Sequence, residues 1–213
     1  MSSRASSVRS GPGDPLARVL ASSALAYLIL YYVLHPDAAP HFRGLQRATG
    51  ISSRSLQHEL ARLLELGMIR REGDGKLVRY PRVADHPRWF VFRDLVREFA
   101  EPTTLLRTAL VEVPGIDAAF IFGSCARGDM HAESDVDVFA LGNSLKHLDT
   151  RLTLARGTLE AAMLLNREVN VVRYTRDKLE ARRSDGFLSA VLAGPKTWLV
   201  GDETVLQPGG VGL

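Results

Sequence analysis

Two aspartates one residue apart, Asp135 and Asp137, interrupt the apolar run SDVDVFAL at residues 134–141. On an extended strand residues i and i+2 share a face, so the two carboxylates project together, ~6.6 Å apart at ~3.3 Å per residue. Val136 and Val138 point the other way, into a core. Two like charges held side by side repel, and a hard divalent cation relieves that repulsion.

Upstream, the apolar strand pattern IDAAFIFG runs into Gly123 and Ser124 and then a short helical stretch. Bare backbone at Gly123, the Ser124 hydroxyl and free N–H groups at a helix start make a corner suited to an anion. A phosphate corner beside metal-binding acids implies phosphoryl or nucleotidyl transfer. Cys125 sits in the same stretch without a paired base, so it reads as a small packing residue rather than a nucleophile. As the chain's single cysteine it excludes an internal disulfide framework and fits a reducing, cytoplasmic setting.

The order strand, GS, ARG, SDVDVF, strand resembles the DNA polymerase β-like nucleotidyltransferase superfamily, particularly its small bacterial and archaeal members, over about residues 102–200. The resemblance implies an α/β (α+β) domain with a mixed sheet, binding a nucleoside triphosphate through Gly123 and Ser124 and Mg²⁺ or Mn²⁺ through Asp135 and Asp137. An acceptor hydroxyl would attack the α-phosphorus, with pyrophosphate leaving. Arg127 would orient the turn or meet phosphate, the alternative being an ion pair with Asp129 or Glu133.

Active members of that superfamily place a third carboxylate on a later strand, where it binds metal and draws the proton from the attacking hydroxyl. Here that strand is EVNVVRY, and the corresponding position holds Asn170. An amide offers a carbonyl oxygen to a metal, yet it is no carboxylate base. Glu168 lies two residues earlier on the same face and is the available substitute, displaced by ~6–7 Å. The implied catalytic set is Asp135 and Asp137 with Glu168 or Asn170. Two outcomes stay open: a metal-dependent nucleotidyltransferase with an unknown acceptor, and a catalytically weak domain that senses nucleotide or serves as an antitoxin-like module for a toxin-like partner.

The first half of the chain has a different character. Residues 1–100 carry 15 Lys and Arg against 9 Asp and Glu, a net +6, while residues 101–213 carry 12 against 15, a net −3. A basic half beside an acidic half points to nucleic acid as the partner of the first. Within it, Phe42, Leu45 and Ala48 have short-helix spacing, closed by Thr49-Gly50. Ser52 or Ser53 can cap a second helix in which Leu56, Leu60, Leu63 and Leu64 recur, and Gly67 ends it. Residues 68–71 and 76–80 then read as two short strands joined by the hairpin signal EGDG.

That order resembles the winged helix-turn-helix of bacterial transcription regulators, over about residues 15–83. The resemblance implies duplex DNA binding, with Ser53, Arg54, Ser55, Gln57 and His58 toward the major groove and Lys76 and Arg79 on the wing. The uncharged run VLASSALAYLILYYVL, residues 19–34, is shorter than the roughly 20 residues of a bilayer span. It predicts a helix buried in a domain core or in the interface of a homodimer, and no membrane association. HPRWFVFRDLVREFA predicts an amphipathic helix with Trp89, Phe92, Leu95, Val96 and Phe99 on one face.

The expected organisation is a disordered extension (1–14), a winged helix domain (15–83), a linker helix (84–101), a nucleotidyltransferase-like domain (102–205) and a flexible tail (206–213).

Overall fold

The computed structural model describes residues 14–74, 78–127 and 134–207. Lys76, Asp129, Glu133 and most of the two expected disordered ends lie outside those residues. The chain forms two compact units that divide between Ala109 and Leu110.

In the first unit, the uncharged run does not make one helix. Ala21 takes a left-handed φ of 52°, and the Ser22 hydroxyl accepts from the Leu25 N–H at 3.1 Å, so a short α1 (Pro15–Val19) gives way to α2 (Ser23–Leu34). Among the described residues no helix is long and apolar enough to cross a membrane. α2 is wrapped by α1, α3 (Phe42–Thr49), α4 (Ser53–Glu65) and α5 (Arg88–Phe99), and Leu28, Ile29, Tyr32 and Val33 are fully buried. The apolar helix is spent on the core of its own unit, one of the two places expected for it. The Tyr32 hydroxyl donates to the Tyr80 carbonyl at 2.7 Å, and burial pushes its pKa up, so it serves as a neutral donor.

α3 ends on Gly50, whose φ of 67° favours glycine, and the Ser52 hydroxyl caps α4 by accepting from the Ser55 N–H at 3.2 Å. Glu59 is buried on α4, and its two oxygens take the Ser22 hydroxyl at 2.8 Å and the Arg62 guanidinium at 2.9 Å. Beyond Gly67 the chain doubles back; residues 76 and 77 lie outside the described residues, and the pairing of the second segment runs over residues 79–83, past the expected end at Tyr80. Arg70 donates to Pro81, Glu72 and Arg79 exchange hydrogen bonds, and Val83 donates to Met68. A third segment that local sequence did not reveal joins it: Tyr80 donates to the Pro40 carbonyl and His41 bridges Arg79.

α5 buries Trp89 and Val96 and half-buries Phe92, Leu95 and Phe99, the face read from its periodicity. The Trp89 indole donates to the Met68 carbonyl at 3.1 Å while the Arg82 guanidinium lies 5.3 Å from its ring centre. α6 (Pro102–Leu110) follows, burying Leu105, Leu106 and Ala109.

The second unit runs β1 (Ala118–Phe122), α7 (Ser124–Arg127), β2 (Val136–Leu141), a 3₁₀ turn (Asn143–Lys146), α8 (Leu148–Leu165), β3 (Val169–Tyr174), α9 (Arg176–Ala181), α10 (Gly186–Ala193), β4 (Thr197–Val200) and a last 3₁₀ turn (Glu203–Leu206). The sheet order is β3-β2-β1-β4, with β1 antiparallel to both neighbours and β2 parallel to β3. A parallel pair needs a crossover, and α8 supplies it. One sheet face carries Phe120, Phe122, Phe139 and Leu141 against Leu179 of α9 and Leu188 and Val191 of α10. Phe139 stacks between Phe120 at 4.8 Å and Tyr174 at 5.4 Å. Val136 and Val138 occupy the opposite face, fully buried, and Val169 and Val171 line a hollow there with Leu154 and Leu159 of α8.

Candidate functional site

The end of β1 and the starts of β2 and β3 meet at one rim of the sheet. Asp137 is the centre of that rim: its Cα pairs with Phe122 of β1 on one side and with Asn170 of β3 on the other. Opposed residues in paired strands share a face, so Asp137 and Asn170 stand side by side on the aromatic face. Asp135 immediately precedes β2 and is exposed, while Asp137 is half-buried. Burial of Val136 and Val138 at 1% and 0% exposure fixes this alternation.

Partial burial, and then the negative charge of Asp135, raise the pKa of Asp137 above the ordinary carboxylate range. The two acids therefore hold an electrostatic repulsion that a divalent cation would relieve, and their hard oxygens suit Mg²⁺ or Mn²⁺. Among the described residues, no group of three or more His, Cys, Asp or Glu is placed to hold a metal. The donor set at the rim is two carboxylates and the Asn170 amide.

Gly123 is required twice over. Its φ is +74°, and a Cβ there would lie 2.8 Å from the Asp137 Oδ2. The bare backbone between β1 and α7 thus passes directly against the carboxylate. Gly123→Ala is expected to destabilise the unit by on the order of 1–3 kcal/mol in a urea titration, because strained φ and the contact add. An unchanged midpoint would show that the turn does not need glycine.

Ser124 opens α7 and is half-buried; Arg127 closes it and is exposed. The Cys125 thiol donates to the Asp135 carbonyl at 3.2 Å, tying α7 to the start of β2. Glu168 lies just ahead of β3, its carbonyl accepting from the Val136 N–H at 2.9 Å, and it borders the hollow beside α8. One aromatic escaped the sequence reading. Phe187, at the start of α10, is 56% exposed and meets Phe122 edge-on at 6.2 Å, one cross-strand pair from Asp137. No local pattern marks it, since its place depends on α10 folding back over the sheet.

In the first unit, Ser53, Arg54, Gln57 and His58 are exposed along the first half of α4, with Ser55 half-buried. Ser53 accepts a hydrogen bond from the Gln46 amide at 2.8 Å, linking α4 to α3. Arg79 is exposed, and its guanidinium donates to the Ala39 carbonyl at 3.0 Å. Among curated proteins, none matches the chain. Residues 106–184, which carry the whole rim from Gly123 to Asn170, match the family model described as Polymerase beta, Nucleotidyltransferase, and so are similar to that family.

Proposed function

We propose that the second unit binds a nucleoside triphosphate together with Mg²⁺ or Mn²⁺ and transfers nucleotidyl groups slowly. The observation that carries this reading is the register at the rim, with Asp137 beside Asn170 and in contact range of Gly123. Similarity of residues 106–184 to a nucleotidyltransferase family supports it. A divalent cation, when bound, supplies the positive charge that lets a triphosphate approach two carboxylates. Asp135 and Asp137 hold that cation, the Gly123 backbone and Ser124 hydroxyl receive phosphate oxygens, and Arg127 adds charge at the end of α7. Phe187 offers an exposed ring for the base. Asn170 contributes a neutral oxygen and takes no proton from an acceptor hydroxyl, so binding exceeds turnover.

Incubation with α-labelled nucleoside triphosphates, Mg²⁺ and a panel of hydroxyl acceptors tests this reading, with nucleotide binding measured in the same preparations. Metal-dependent binding with slow label transfer is expected. Brisk transfer that disappears in Glu168→Gln would instead make Glu168 the base.

We further propose that the first unit is a winged helix-turn-helix that binds duplex DNA, so that a catalytically weak nucleotide domain acts as a sensor for a regulator. Asn170 favours this second reading, and the support in the first unit is the α3–turn–α4 order, the doubled-back segment after it and the exposed polar face at Arg54. Arg54→Ala is expected to weaken duplex binding roughly tenfold, in line with a loss of about 1–3 kcal/mol for a base contact. Arg79→Ala is expected to weaken all duplexes alike and reduce the salt slope by about one. Affinity of the full chain that ignores both salt and Arg54 would contradict DNA binding.

A further inference from the structure

At the other end of β2 and β3 lies a hollow of about 570 Å³ with an unusual lining. Four cations converge on it from four separate elements: Lys146 from the 3₁₀ turn after β2, Arg151 from the first turn of α8, Arg173 from β3 and Lys178 from α9. Asp177 is the one acid in the lining, so the hollow carries a net +3 within a half-chain whose own balance is −3.

Nearby arginines are neutralised. Arg176 donates to Asp117 at 3.1 Å, and Arg183 pairs with Glu180 at 3.4 Å. Among the described residues, Lys146, Arg151, Arg173 and Lys178 have no such carboxylate partner. Four like charges brought together by tertiary structure, not by adjacency in sequence, repel one another until an anion joins them. Arginine forks and lysine ammonium groups suit phosphate oxygens, and the volume falls in the roughly 300–1,000 Å³ range of small-molecule clefts.

The hollow is separate from the acidic rim. Tyr174, in its lining, pairs with Leu141, whereas Asn170 pairs with Asp137, which places the two sites ~13 Å apart along the strands at ~3.3 Å per residue. A single triphosphate seated on the two aspartates does not fill it. We propose that this hollow is a second anion site, one that takes a polyphosphate group, supplied either by a nucleotide or by free polyphosphate, without a divalent cation.

Titration of the full chain with sodium tripolyphosphate, in EDTA and at low salt, tests this by calorimetry. Saturable binding is expected, weakened about tenfold or more in the double variant Arg151→Ala, Arg173→Ala, as loss of charge-assisted hydrogen bonds implies. Asp177→Asn is expected to tighten binding several-fold, a gain that damage to the fold does not produce. Asp135→Asn is expected to leave it unchanged. A parallel titration with ATP in EDTA assigns the source: tighter binding than tripolyphosphate points to a nucleotide, and equal or weaker binding to free polyphosphate. Absence of saturable binding, or affinity indifferent to both the double variant and Asp177→Asn, overturns the site.

Discussion

Asn170→Asp is expected to raise metal-dependent nucleotidyl transfer by about 10²–10⁴-fold, the usual contribution of a positioned general base. The position is set by the parallel pairing of β2 with β3, which puts residue 170 directly beside Asp137. A carboxylate there adds a third negative ligand for the cation and a proton acceptor for the attacking hydroxyl, where charge develops. The substitution is nearly isosteric and half-exposed, so the fold should tolerate it. Label transfer from α-labelled nucleotide, compared in parallel preparations of wild type and variant, is the check. No increase, with nucleotide binding retained, would mean that the missing acid is not what limits transfer.

Asp137→Asn is expected to lower metal-dependent nucleotide affinity by roughly 10–100-fold, the equivalent of about 1.5–3 kcal/mol for a contact to a charged group. The same substitution should stabilise the ligand-free protein. Folding raises the Asp137 pKa, through partial burial and the Asp135 charge, so the folded state holds its proton more tightly than the unfolded chain does. Stability therefore falls as pH rises from the ordinary carboxylate range through the raised value, and above that window the ionised Asp137 works against the fold. Urea titrations at pH 7 should give a higher midpoint for the variant, with the gap closing as pH falls through the window. A lower midpoint at pH 7 would show that the carboxylate stabilises its surroundings.

Much of this rim was readable in the chain. The alternation in SDVDVFAL assigns Asp135 and Asp137 to one face and Val136 and Val138 to the other because strand side chains have a period of two. The position of Asn170 relative to Asp137 is a different kind of fact. The long helix α8 separates the two strands, and a register slip of one residue would have sent residue 170 to the opposite face. Only tertiary packing chooses between those registers. The exposed ring of Phe187 and the four converging cations were invisible for the same reason, since each depends on elements distant in sequence. In the first unit, hydrophobic spacing located α3 and α4 and their caps. It misread the uncharged run around Ser22 as continuous, because a local serine cap outweighs apolar character over two or three residues. The doubled-back segment runs on to Val83, three residues past the expected end, and Pro40 and His41 meet it at Tyr80 and Arg79, contacts that no local pattern marks.

The proposed site at Asp135 and Asp137 is measured by the Mg²⁺-dependent part of ATP stabilisation, taken as the thermal shift in Mg²⁺ less the shift in EDTA. Repeating it in the Arg151→Ala, Arg173→Ala background keeps metal-free anion binding at the hollow out of the difference. With ATP about 100-fold above its dissociation constant, linkage gives roughly 2.7 kcal/mol of stabilisation, a shift of several degrees. Wild type should show that increment with Mg²⁺ or Mn²⁺, and Asp135→Asn should lose it. An increment of equal size in Asp135→Asn, or none in wild type, would contradict a joint metal and nucleotide site at Asp135 and Asp137.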